Sequence, residues 1–173
     1  MKAWVAFAAL STALWLSSHS LCAADTIFPE PWPSPERFAA ASKTVRFASS
    51  SPFMPADIGD APWTETLGYL FMPPAASAAA PVPAVILLHG AAGEVERREI
   101  VYARQFAALG VAALVIDSFA ARRQMARGFI DRLLNITETM LVADAYAGLS
   151  YLDRLPEVDG SRVALMGFSY GGM

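Results

Sequence analysis

Ser169 stands in Gly167-Phe168-Ser169-Tyr170-Gly171, directly after the apolar run Val163-Ala164-Leu165-Met166. A serine hydroxyl is a weak nucleophile, and it must stand clear of the backbone to meet both a base and a carbonyl. Gly-x-Ser-x-Gly after a buried strand achieves this by a sharp strand-to-helix turn, with glycines where backbones crowd together. Gly172 adds further room. A dinucleotide-binding fingerprint would require glycine where Ser169 stands. A second segment, His89-Gly90-Ala91-Ala92-Gly93, follows the apolar run Ala84 to Leu88. Attack on a carbonyl builds an oxyanion that needs two backbone N–H donors. The residue after the nucleophile, Tyr170, supplies one, and the glycine-flanked loop supplies the other, at Ala91 with Ala92 as the alternative. His89 is the only histidine besides His19. It precedes the serine and lies in the donor loop, so it reads, with Gly90, as support for that loop and not as the base.

The elements that must position these residues alternate in type. Thr44-Val45-Arg46-Phe47 and Leu67 to Met72 are short β-rich runs, expected to pair antiparallel. Pro73 to Pro83 is an exposed Ala/Pro loop. Ala84 to Leu88 and Val111 to Ile116 are continuous apolar runs, the pattern of strands buried on both faces. Between them, Glu99 to Leu109 carries a helical stripe closed by Gly110. Thr139 to Leu155 is a long helix stopped by Pro156, and Asp159-Gly160 is expected to turn the chain into a third strand, Val163 to Met166. Strand–helix alternation predicts a mostly parallel, doubly wound α/β sheet with helices on both faces. Phe119 to Ile136 is too long for a simple connection and predicts either a short helix near Phe129 to Leu134 or part of a site wall.

The bulk properties fit one domain. The chain has 173 residues and a net charge of −3, with 55% hydrophobic and 17% charged residues, so a sizeable core is expected and disorder is not. No Lys/Arg stripe marks a nucleic-acid groove. Lys2, the apolar stretch Ala3 to Leu16 and the small residues ending Cys22-Ala23-Ala24 read as a signal peptide over residues 1–24. That stretch is shorter than the about 20 residues a membrane span needs, so no stable span is expected after cleavage. The only cysteine, Cys22, would leave with it, excluding disulfides and thiol chemistry. Residues 25–42 form a Pro-rich leader with Pro29, Pro31, Pro33 and Pro35. Residues 43–173 form the domain, and the protein is expected to be exported, periplasmic or secreted, from a bacterium. No metal cluster or cofactor motif is found in the sequence, so neither is expected.

Three segments together resemble the dienelactone hydrolase family, in its exported bacterial branch: Val85 to Gly93, Leu114-Val-Ile-Asp-Ser-Phe119 with Arg122, and Val163 to Gly172. The resemblance runs from about Thr44 to the end and implies an α/β-hydrolase fold and hydrolysis of an ester-like bond in a small molecule. It also implies that Arg122 binds a substrate carboxylate, with Arg123 and Arg127 as neighbours to which the role could slip. Asp117, at the end of a buried strand on the same sheet edge, is expected to cap or orient the following loop, with a place in the site as the alternative. Two departures stand out. The family proper uses a cysteine nucleophile where this chain has Ser169, and carries an acidic residue where it has His89-Gly90. Thiolate chemistry is therefore not expected. In α/β-hydrolases the acid and histidine of the triad follow the serine in the chain. The sequence thus reads as the N-terminal part of a serine hydrolase, cut after the nucleophile strand and inactive alone. The alternatives are an acyltransferase on the same fold, or a non-catalytic binding module.

Overall fold

The structure, a computed structural model, describes residues 42–93, 95 and 98–173. The expected signal peptide over 1–24 and the Pro-rich leader over 25–42, save Ser42, lie outside the described residues.

The β-branched and aromatic runs become strands. β1 (Lys43–Ser50) and β2 (Trp63–Phe71) pair antiparallel, from Lys43 opposite Leu70 to Ser50 opposite Trp63. They extend beyond the apolar runs that mark them in sequence because polar residues tolerate the solvent face, where Arg46 reaches Glu65 at 3.0 Å. β3 (Val82–Leu88) and β4 (Ala112–Asp117) form the centre, with Ala84 to Leu88 and Ala112 to Ile116 buried. β5 (Val158–Gly167) ends at the elbow. The order is β1-β2-β4-β3-β5, in which β2 meets β4 antiparallel and β4, β3 and β5 run parallel.

Side chains of a strand alternate between faces, and this alternation decides which helix each residue meets. Val85, Leu87, Ala113 and Val115 pack with Ile100, Ala103 and Ala107 of α1 (Glu99–Ala108). Ile86, Leu88, Leu114 and Ile116 pack on the other face with Met140, Leu141, Ala145 and Leu152. Those belong to α3 (Glu138–Asp153), which follows the short α2 (Phe129–Asn135). Gly110, at φ +84°, ends α1 as its sequence position predicts. One expectation is corrected: Asp159-Gly160 does not turn the chain into β5 but lies within it, at a register shift opposite Val82 and Ala84. There Asp159 accepts hydrogen bonds from Ser161 and Arg162, so a local polar cluster absorbs the irregularity instead of ending the strand.

Candidate functional site

β5 delivers Ser169 at the carboxyl end of the parallel strands. Its backbone takes φ +51°, and among the described residues it is the one non-glycine at positive φ. Such a conformation costs about 1–3 kcal/mol and persists only where the surroundings impose it. Here they do. Phe168 N–H donates to Leu88 O at 3.1 Å and Gly171 N–H to Phe168 O at 3.0 Å, closing the turn Ser169–Gly172 against the end of β3. A Cβ on Gly167 would collide with Gly171 O, and one on Gly171 would lie 2.8 Å from both His89 O and Leu88 Cβ. Glycine at these positions is a steric requirement. Ser169 is exposed, and its hydroxyl has no hydrogen-bond partner among the described residues.

Gly90 brings the second segment to the first, since a Cβ there would stand 3.2 Å from Phe168 O and 3.4 Å from Ser169 Cβ. His89 is 1% exposed and uses both ring nitrogens. Nδ1 lies 2.9 Å from Gly90 O, and Nε2 accepts the Ser118 N–H at 3.2 Å, so the network assigns the proton to Nδ1. Gly93 N–H also donates to Gly90 O, at 3.0 Å. In a trans peptide the N–H opposes the preceding C=O. Two donors on Gly90 O therefore leave Ala91 N–H on the other side of that peptide, with no partner among the described residues. Tyr170 N–H begins the turn after Ser169, where first-turn donors lack intrahelical acceptors. The Tyr170 side chain is buried and its hydroxyl donates to Ile136 O. Burial, with Glu138 nearby as a lesser cause, raises its pKa above the ordinary value of 10.0.

Arg122 is placed differently from its expected role. It is 3% exposed, and all five guanidinium N–H groups are engaged. Nε donates to Ser51 Oγ at 3.0 Å, Nη1 to Ser118 O at 2.9 Å and Asp144 Oδ2 at 2.7 Å, and Nη2 to Ser50 O at 2.8 Å and Asp144 Oδ1 at 3.1 Å. No donor remains for a substrate carboxylate. Asp144 is itself fully buried and also accepts from Ser49 and Thr66. Its only signal in the sequence is a carboxylate set between the apolar residues Leu141, Val142 and Ala145. Asp117 accepts the Ala120 N–H at 2.9 Å, as a loop cap does, and stays 3.9 Å from His89 Nε2.

Other neighbours of the site carry no local motif. Arg98 stacks its guanidinium 4.3 Å from the centre of the Phe168 ring, and Tyr102 stacks on that ring at 5.5 Å, so the start of α1 holds the residue before the serine. Arg132 of α2 reaches Ala91 O at 3.3 Å and also Ala92 O. Among the described residues no group of His, Cys, Asp or Glu could hold a metal ion, and no helix is long and apolar enough to cross a membrane.

The sequence model of the dienelactone hydrolase family matches residues 67–173, which include both the Gly90 loop and the Ser169 elbow. The chain belongs to the dienelactone hydrolase family. Solved structures carry the same fold as this dienelactone hydrolase family member. A candidate dienelactone hydrolase from Klebsiella pneumoniae superposes with a TM-score of 0.53 at 20% identity, over 75% of this chain and 52% of that one. DcsB, solved with a substrate analogue, gives 0.54 at 17% identity, over 76% of this chain and 38% of its own. The fold is that of an α/β-hydrolase, and the chain spans about half or less of the length of these neighbours. No curated protein sequence matches it.

Proposed function

We propose that the protein is a serine hydrolase of carboxylic esters, lactones or related acyl bonds in small molecules. Ser169 Oγ gives its proton to a base and attacks the carbonyl carbon, and the Ala91 and Tyr170 N–H groups take the developing oxyanion. The C–O bond to the leaving alcohol breaks as that oxygen takes the proton, and water then displaces the acyl group from Ser169 as the carboxylic acid, returning the serine proton. His89 does not serve as base, because a ring with both nitrogens engaged and 1% exposure has no lone pair to offer Ser169. The base comes from outside the described residues. The observation that carries this reading is Ser169 at φ +51°, held between glycines and against Gly90. A merely structural turn would relax that strain by placing glycine there. In this reading the protein works after export, on the strength of the sequence features of residues 1–24.

The test uses the full-length gene product. It should hydrolyse an activated ester and be labelled by a fluorophosphonate, with the label mapped to Ser169, and Ser169→Ala should lower kcat roughly a thousandfold or more. Undiminished turnover in Ser169→Ala would overturn the reading. Transfer of the acyl group to an added alcohol in preference to water would replace hydrolase by acyltransferase.

A further inference from the structure

We propose that Arg132 is a positioning residue that aims the oxyanion donor on the Gly90 loop. The inference rests on the serine-hydrolase reading above. Arg132 lies 41 residues beyond Ala91 and belongs to no motif, yet its Nη1 donates to two successive carbonyls of that loop, Ala91 O at 3.3 Å and Ala92 O. Its guanidinium lies 5.2 Å from the centre of the Phe119 ring, and Phe119 meets the His89 ring edge-on at 4.4 Å.

The mechanical consequence follows from peptide planarity. Holding Ala92 O on the Arg132 side turns the Gly93 N–H to the opposite side, where it donates to Gly90 O at 3.0 Å. That bond, together with His89 Nδ1–H on the same oxygen, sets the plane of the Gly90–Ala91 peptide. The Ala91 N–H is the free end of that plane. Arg132 therefore acts on the donor through two rigid peptides, and a charged donor holds carbonyls more strongly than a neutral one. Gly93 makes the arrangement possible: its φ is +70°, and a Cβ there would stand 3.1 Å from Arg132 Nη1 and 2.9 Å from Phe119 Cδ2.

A packing role alone does not account for the choice of arginine. Arg132 Nε is buried with no hydrogen-bond partner, a defect that an apolar side chain of similar length would remove. The carbonyl grip is what such a replacement would lose.

In the full-length protein, Arg132→Met should lower kcat for an activated ester by roughly 10- to 100-fold, with KM changed less than about threefold, because the oxyanion exists only in the transition state. The rate of fluorophosphonate labelling should fall in parallel. Arg132→Lys should recover part of the loss, and Gly93→Ala, which displaces the same clamp, should reproduce it. Circular dichroism and Tm establish that each variant is folded, and Gly93→Ala with Arg132→Lys decide the matter if Arg132→Met does not fold. A folded Arg132→Met or Gly93→Ala enzyme with kcat within about threefold of the parent would overturn the inference, provided Ser169→Ala is inactive. An active Ser169→Ala would instead overturn the serine-hydrolase reading beneath it.

Discussion

The strained backbone at Ser169 and the three glycines around it form one steric unit, in which a methyl group on Gly167 or Gly171 would strike backbone and one on Gly90 would press tightly on Phe168 O. Tyr170 ties that unit to the rest of the molecule through Ile136 O, and Ile136 is fully buried. Tyr170→Phe orphans a buried carbonyl and should cost about 1–3 kcal/mol in urea unfolding. Its pH dependence has a definite sign. Because the folded pKa of Tyr170 is raised, its contribution is fully present below pH 10.0 and is lost as pH climbs through the folded value. The stability difference between parent and Tyr170→Phe should therefore shrink above pH 10, and a difference that grows there would contradict the assignment. At this scale the glycine-flanked turn at Ser169 and the Gly90 loop were legible as motifs, because glycine spacing along the chain marks where the backbone must bend sharply or approach closely. Arg132 was not, since the carbonyls it holds are 40 and 41 residues away.

Elements are joined by the Arg122–Asp144 pair, which ties together the ends of β1 and the loop after it (Ser49, Ser50, Ser51), β2 (Thr66), the loop after β4 (Ser118) and α3. Removing one partner of such a buried pair leaves an uncompensated charge, so Asp144→Ala should cost about 3–5 kcal/mol. The double substitution Arg122→Met with Asp144→Leu should cost less than Asp144→Ala alone, and a strictly additive loss in urea titrations would show that the two charges are not coupled. The strands and both long helices are recognisable from their periodicity. The boundaries that differ have physical causes: β5 begins early because a bulge accommodates Asp159 and Gly160, and β1 and β2 lengthen because one face tolerates polar residues. The substrate role of Arg122 was implied by the family resemblance alone, and neither that nor spacing along the chain tells whether a guanidinium ends in solvent or against a carboxylate on another helix, as it does here on Asp144.

Across the whole molecule, the sheet is well covered at its centre and open at β5, which pairs with β3 alone among the described residues. Leu165 is 60% exposed there, and with Leu141, Val142, Tyr146 and Tyr170 it lines an apolar groove of about 410 Å³ between α3 and β5. An unpaired strand edge beside apolar surface is a template for self-association. The 173-residue polypeptide should therefore associate in light scattering. Leu165→Lys, which places a charge on that edge, should reduce the scattering mass several-fold, and an unchanged mass would locate the association elsewhere.

The sequence by itself carried the local motifs: a serine on a glycine-flanked turn after an apolar strand, which the structure places at the open edge of the sheet and not buried on both faces, a second glycine loop after a buried strand, and alternating elements to carry both. These are short-range matters, fixed by steric limits on φ and ψ and by the period of apolar residues. Only the tertiary structure decided the strand order that brings Gly90 against Ser169, the burial of Arg122 on Asp144, and the grip of Arg132 on the donor loop. Each of those depends on contacts between residues far apart in the chain, whose partners no local pattern specifies.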